Sequence, residues 1–564
     1  MFNSRLVRKN LLLLAYIFIS TFFIFRSTKQ TYGVNDDVIL QSWLSGTYTG
    51  NPELMIRGSA TPKITFGFLI SNLYKIFPNI NWFSLIVLFL VLVSWYLIGT
   101  VVLKNKGLVN VSFYLIVSFS HLYWFIPAPT YTASAILFSS SIIFFLIQKD
   151  RKTVSIIFLS ILFSFSYLIR PESFLFGALI SIPLFIYSVV ILKKITFYKA
   201  LLFFLITFSI ISIDNFFENS YYKNNLEWQN YETLESLRYK IQANQPEALL
   251  TENPLKYNWT TSEVKLFSQY LTFEKSTFNV KKYEVLLEKT KNEKTISLNP
   301  VTFIMQGHLK LINSDVNWEW FSLSKLIPIS WIFFLILLFP KIRHYTILSL
   351  VSLCLLYFVM IYVATYLRQP ERVQLSAIFL SILIPLFIYN SIPEKIINNK
   401  LDLTKLTLGS FLILQMLTFS VSQIKYFDKK YSGANNVFWY LQKEFLKKFP
   451  EDSIFVGNAS QFRNNWTNPY VISHDPIEDR IFSLGWHNFS PHWIKRGLIL
   501  GLDPNNLTDS LIHDRRVYFV SDRDTFGSLQ QYLVDKKIRF TQIETIDTLD
   551  FVGNDYTVYK ISAS

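Results

Sequence analysis

Long apolar runs alternate with short basic clusters over most of this chain. A helix needs about 20 apolar residues to cross a bilayer. On that ruler eleven stretches qualify, near 9–26, 81–103, 109–126, 131–148, 153–169, 174–192, 198–214, 324–340, 345–366, 373–390 and 404–422. They predict an α-helical polytopic membrane domain over 1–422 with a first loop at 27–80. In 63–80, Phe66, Leu69, Ile70, Leu73, Ile76 and Phe77 recur at helical spacing before Pro78. That pattern predicts a helix along the membrane interface, or else an ordinary packed loop helix. Residues 215–322 replace the apolar pattern with Asn, Glu and Lys, and so long a loop predicts a helical cap. From 423 onward, helix-like stretches (435–449, 525–536) alternate with strand-like ones (453–456, 516–521, 540–546, 557–561). This predicts a small α/β domain over 423–564.

Composition agrees with membrane residence. Of 564 residues, 51% are hydrophobic, 17% aromatic and only 16% charged, and the mean hydropathy is +0.30. The net charge of +15 is no sign of nucleic-acid binding, because its basic residues cluster between apolar runs. Arg5, Arg8 and Lys9 fall on the same side as Lys104 and Lys106, Arg151 and Lys152, Lys193 and Lys194, and Lys341 and Arg343. The positive-inside rule places that side in the cytoplasm. The expectation is a multi-pass cell-membrane protein with a cytoplasmic N-terminus, and an extracytoplasmic first loop, cap and C-terminal domain. A single cysteine, Cys354, excludes an internal disulfide framework and a cysteine-based metal site.

Polar residues at the outer ends of the spans are the candidates for chemistry. Asp36 and Asp37 follow the first span within TYGVNDDVILQSWLSGTYTG. If that segment is helical, the two point about 100° apart, so one suits a general base and the other a metal ligand or cap. Asp36 is preferred as base; the competing reading makes Asn35 and Asp36 N-capping residues of a solvated loop. Arg170 with Glu172, and Arg368 with Arg372, stand against the positive-inside bias and suit bidentate phosphate contact. Snorkelling, or pairing with Glu172 and Glu371, competes with that role. In the cap, Trp228, Tyr231 and Arg238 offer aromatic and cationic surface to a sugar, with a core-and-rim role as the alternative. The histidines lack zinc-helix spacing, and His121 suits packing inside a span. Asn258, Asn465 and Asn506 open glycosylation-type triplets that arise by chance in an Asn-rich chain.

In order and spacing, VNDDVILQSWLSGTYTG, LYKIFP, PTYTASAIL, LIRPES, LEWQNYETLESLR and LRQPERV resemble the GT-C superfamily of integral-membrane glycosyltransferases, in particular a branch of bacterial polytopic members. The resemblance implies a polyprenyl-phosphate-sugar donor, an extracytoplasmic cell-envelope glycan or lipid acceptor, and inversion at the anomeric carbon. It also implies a first-loop carboxylate as base, which carries over onto Asp36 or Asp37. A divalent cation, Mg or Mn, is a candidate cofactor. The chain lacks a WWD-type motif and has Asp-Asp where protein mannosyltransferases show Asp-Glu, so oligosaccharyl transfer to protein Asn is not expected and the acceptor stays open. A glycan polymerase or ligase, in which arginines dominate, is the enzyme alternative. A lipid-linked sugar flippase is the transport alternative, but it calls for polar residues near span centres.

Overall fold

The computed structural model describes residues 4–32, 35–53, 61–103, 108–148, 152–192, 195–243, 258–294, 343–366, scattered positions at 372–387, and then 447–458, 468–472, 478–538, 540–549 and 556–563. The chain is mostly helical and divides into two compact units. One comprises 1–30, 84–216 and 298–430, and the other 31–83, 217–297 and 431–564.

The first unit holds most of the apolar helices. These are α1 (Ser4–Ser27), α4 (Trp82–Val102), α5 (Leu108–Phe125), α6 (Tyr131–Leu146), α7 (Thr153–Ile169), α8 (Pro171–Val190), the first part of α9 (Phe197–Lys223) and α13 (Arg343–Tyr366). Among the described residues four helical stretches, Val7–Ser27, Trp82–Val102, Pro171–Val190 and Phe197–Lys223, are long and apolar enough to cross a membrane. The chain is therefore a membrane-embedded protein with fewer demonstrated spans than the eleven expected. Helices α6 and α7 fall below spanning length by their own extent. The expected spans at 324–340 and 404–422, and most of 373–390, lie outside the described residues.

Helix α6 is the centre of this unit, with every residue buried except Phe145. Its small residues let α8 approach closely. Ser140 Oγ donates to Gly177 O (3.1 Å), and a Cβ on Gly177 would lie 2.2 Å from Ser139 Oγ. This is how small side chains join helices where burial from water gives no drive. His121 is packed as the sequence suggests: it accepts from Trp95 Nε1 (3.2 Å) and sits edge-on to Phe379.

The second unit gathers α2 (Asn35–Ser45), α3 (Ile64–Ile76), the end of α9, α10 (Leu226–Ala243), α11 (Thr261–Ser268), α12 (Val280–Lys294) and the C-terminal α/β part. The latter has strands β1 (Ile454–Asn458), β2 (Ile481–Leu484), β3 (Val517–Ser521), β4 (Phe540–Leu549) and β5 (Tyr556–Ala563), with helices α14 (Pro491–Ile499), α15 (Leu507–His513) and α16 (Arg523–Asp535). Strand order is β2-β1-β3-β5-β4; β2, β1 and β3 are parallel, while β5 runs antiparallel to β3 and β4. The sequence pattern names four of these strands and misses β2, a run of four buried residues too short to show a period. The expected helix at 435–449 lies outside the described residues apart from 447–449.

The cap and the α/β part are not separate bodies. One hydrophobic core contains Leu234, Trp259, Phe267 and Tyr283 from the cap together with Val456, Phe482, Trp493, Phe519 and Tyr532. Polar ties reinforce it. Ser262 Oγ donates to Asp535 (2.6 Å), Lys275 N donates to Asn505 O (2.9 Å), and Lys536 pairs with Glu263 (3.5 Å). Helix α3 buries Phe66, Ile70 and Tyr74 while Phe68, Leu69, Ile76 and Phe77 stay exposed. Its exposed side mixes these apolar residues with Thr65 and Lys75.

Candidate active site

Helix α2 sets the geometry. Its first turn carries Asp36 and Asp37, where carboxylates complement the helix dipole. Asp36 is partly exposed, whereas Asp37 is 1% exposed. Helical spacing puts Asp36, Leu40 and Trp43 on one face and Asp37, Gln41 and Leu44 on the next. Gln41 lies near Tyr74, which donates to Asn81 Oδ1 (2.7 Å), and Asn81 donates to Tyr32 (3.0 Å). Asp37 thus shares its face with a buried polar network, and Asp36 shares its face with Trp43.

A tight turn follows α2. Gly46 has φ +82°, and a Cβ there would lie 2.4 Å from Asn51 C and Pro52 N. Tyr48 N donates back to Ser42 O and Glu53 N to Trp43 O, each at 3.1 Å. The returning segment sets Tyr48 edge-on to Trp43, with centroids 6.1 Å apart.

Opposite stands the loop that leaves the C-terminal end of β2, Gly485 to Ser490, and enters α14. Crevices outside the carboxyl ends of parallel strands are where open α/β sheets commonly bind ligands. Asn488 fixes the loop: its Oδ1 accepts from Gly485 N (2.9 Å), and its Nδ2 donates to Tyr270 O (3.1 Å) and Thr272 Oγ1 (2.9 Å). Phe489 (φ +66°) and Tyr270 (φ +60°) are both held in the left-handed region, which bulky residues adopt only when their surroundings enforce it. Ser490 caps α14 by accepting from Trp493 N (3.2 Å), with Pro491 opening the helix.

Loop and helix bring rings onto Trp43. Its centroid lies 5.6 Å from Trp486, 5.6 Å from His487 and 5.2 Å from His492. Trp228 lies 5.1 Å from His492. Burial pushes the His492 imidazole down to about 4, with Lys495 adding to the effect and Glu53 opposing it, so the ring is neutral at pH 7. Arg496, 4% exposed, lies over Tyr48 at 5.6 Å.

Helix α10 supplies the charged wall. Arg238 and Glu235 form a buried ion pair one turn apart, and Tyr231 donates to Trp486 O (3.2 Å). Burial raises the Glu235 carboxyl above its ordinary value; Arg238 opposes this and the charge of Asp36 adds to it. Trp228, Tyr231 and Arg238 are 5%, 2% and 2% exposed and belong to the interior of this wall, which agrees with the core-and-rim alternative.

No family model, curated protein or solved structure matches the chain. The residues above carry the functional reading alone.

Asp36, Asp37, Trp228, Tyr231 and Arg238 share the second unit. Arg170, Glu172 and Arg372 belong to the first, and Arg368 lies outside the described residues. Arg170 joins α7 to α8, lies over the Tyr131 ring at 4.7 Å and is 4.0 Å from Glu172. Arg372 O accepts from Ser376 Oγ (2.7 Å). Among the described residues no group of three or more His, Cys, Asp or Glu side chains could hold a metal ion. Glu235, the carboxylate that feels Asp36, is already bound to Arg238, so this arrangement does not fit a divalent cation. A separate open cleft of about 710 Å³, lined by Glu274, Lys275, Asp509 and His513 among others, contains no Trp, Tyr or Phe.

Proposed function

We propose that this protein is an inverting glycosyltransferase that moves a sugar from a polyprenyl-phosphate donor to an extracytoplasmic glycan or lipid acceptor. Asp36 acts as general base. The acceptor O–H gives its proton to the carboxylate while its oxygen attacks the anomeric carbon. The bond from that carbon to the phosphate oxygen breaks, and polyprenyl phosphate leaves with the electron pair. Phosphate is a good leaving group, so a base and a cation for the leaving anion suffice. Arg170, Arg368 and Arg372 are proposed for that anion on residue type and sequence position alone.

The observation that carries this reading is the pairing of a partly exposed carboxylate, Asp36, with an aromatic cluster on the same face of α2 and a charged wall on α10. A solvated, merely capping loop has no reason to share its helix face with a buried ring such as Trp43. The three stretches assigned to the outer side by flanking charge also share one compact unit, as same-side segments can. The proposed orientation keeps the N-terminus cytoplasmic and the C-terminus outside.

In cells of the source species, replacing the protein with Asp36→Asn is expected to remove the sugar it adds from the cell-envelope glycan. Unchanged glycan composition in cells that make the variant at wild-type level would rule the reading out.

A further inference from the structure

We infer that Trp43, Trp486 and His492 form a saccharide subsite that holds a pyranose ring of the acceptor while one of its hydroxyls reaches Asp36. This rests on Asp36 being the base, and it narrows the acceptor from glycan or lipid to a glycan.

Trp43 Nε1, Trp486 Nε1 and His492 Nε2 are each buried and without a hydrogen-bond partner. A buried polar group left unmade costs about 1–3 kcal/mol, and such groups in a native protein call for an explanation. Two of them, on Trp486 and His492, sit on rings that border the third, Trp43, with centroids 5.6 and 5.2 Å away, so one ligand at this cluster can serve all three. Two are indoles, which only donate, and the third is an imidazole, neutral at pH 7 and so able to donate or accept. A sugar suits this set: its hydroxyls donate and accept, and its C–H face packs on an aromatic ring. Trp486 is the partly exposed member and forms the way in. A cationic guest, the usual occupant of an aromatic cage, is disfavoured by the Arg496 guanidinium beside Tyr48.

Spacing and rigidity agree. Asp36 and Trp43 are separated by roughly 10 Å along α2, a gap that a saccharide bridges and a small alcohol does not. The loop that presents Trp486 is strained at Phe489 and pinned by Asn488, which is the expense of a preorganised site rather than of ordinary core.

The test is saturation-transfer NMR on the full-length protein in nanodiscs, with gluco-, galacto- and manno-configured disaccharides as probes. Wild type and Asp36→Asn are expected to saturate the C–H protons of at least one of them. Trp486→Ala, and Trp43→Phe, which keeps a ring but loses the N–H, are expected to weaken binding roughly tenfold. No binding across the panel, or equal binding by both tryptophan variants, overturns the subsite. The two readings fail separately. Asp36→Asn that abolishes transfer, with no saccharide bound by any form, sinks the subsite and leaves the base. Saccharide binding lost in the tryptophan variants, with full transfer by Asp36→Asn, sinks the base and leaves a saccharide site.

Discussion

Asp36 and Trp43 stand on one face of α2 two turns apart, and the charge of Asp36 is felt by Glu235 across the interior of the same unit. Like charges near each other oppose folding. Glu235 has its pKa raised in the folded protein, so its contribution is fully present below the unfolded value and is lost as pH rises through the folded one. Removing the Asp36 charge lessens that loss. Asp36→Asn should therefore raise the unfolding midpoint at pH 7.5 more than at pH 4, while activity disappears. Thermal unfolding of both proteins at the two pH values checks this.

Arg238→Met should be far more damaging than its size suggests. Removing one partner of a buried ion pair strands the other, at a cost of about 3–5 kcal/mol. The double variant Glu235→Gln, Arg238→Met should recover much of that, because no charge is then left in the interior. Denaturant melts of the two variants give the comparison directly.

Two glycines near α2 separate conformational strain from crowding. Gly46 and Gly50 have nearly the same φ, +82° and +83°. A Cβ on Gly50 meets nothing within 4 Å, whereas one on Gly46 meets backbone at 2.4 Å. Gly50→Ala should cost about 1 kcal/mol. Gly46→Ala should cost more than that and also displace Tyr48, visible as a changed tryptophan emission from Trp43.

His492 should make the protein acid-sensitive. Its folded pKa of about 4 lies below the ordinary 6.5, so between those values the unfolded chain binds a proton that the native one refuses. Stability then falls as pH drops from 6.5 towards 4, by at most roughly 3 kcal/mol from this residue. His492→Gln should flatten the pH dependence across that window relative to wild type, as measured by unfolding midpoints.

How far the sequence foretold this is uneven for physical reasons. Helix α3, the acidic first turn of α2 and the strands around Ile454, Val517, Phe540 and Tyr556 follow from local periodicity, which a single segment carries within itself. The shared core of cap and sheet does not, since the contact of Phe273 with Phe519 joins segments far apart in the chain and leaves no local period. Trp43 lies inside the stretch around Asp36, yet its partners are more than 440 residues away in the chain. A signal for them existed. Trp486, His487, Phe489, His492 and Trp493 crowd into GWHNFSPHW, a density of rings beside a Ser-Pro helix start that a surface loop has little use for. Glu235 was hidden because a carboxylate on a polar helix reads as solvated until packing buries it.

The decisive measurement is transfer by purified protein in liposomes, using radiolabelled polyprenyl-phosphate sugar and an envelope-glycan acceptor. The account predicts that wild type moves label to the acceptor with inverted anomeric configuration and that Asp36→Asn, still folded, slows this by at least about a hundredfold. Transfer by Asp36→Asn at the wild-type rate, or label that crosses the bilayer still attached to its lipid and never reaches the acceptor, would contradict it.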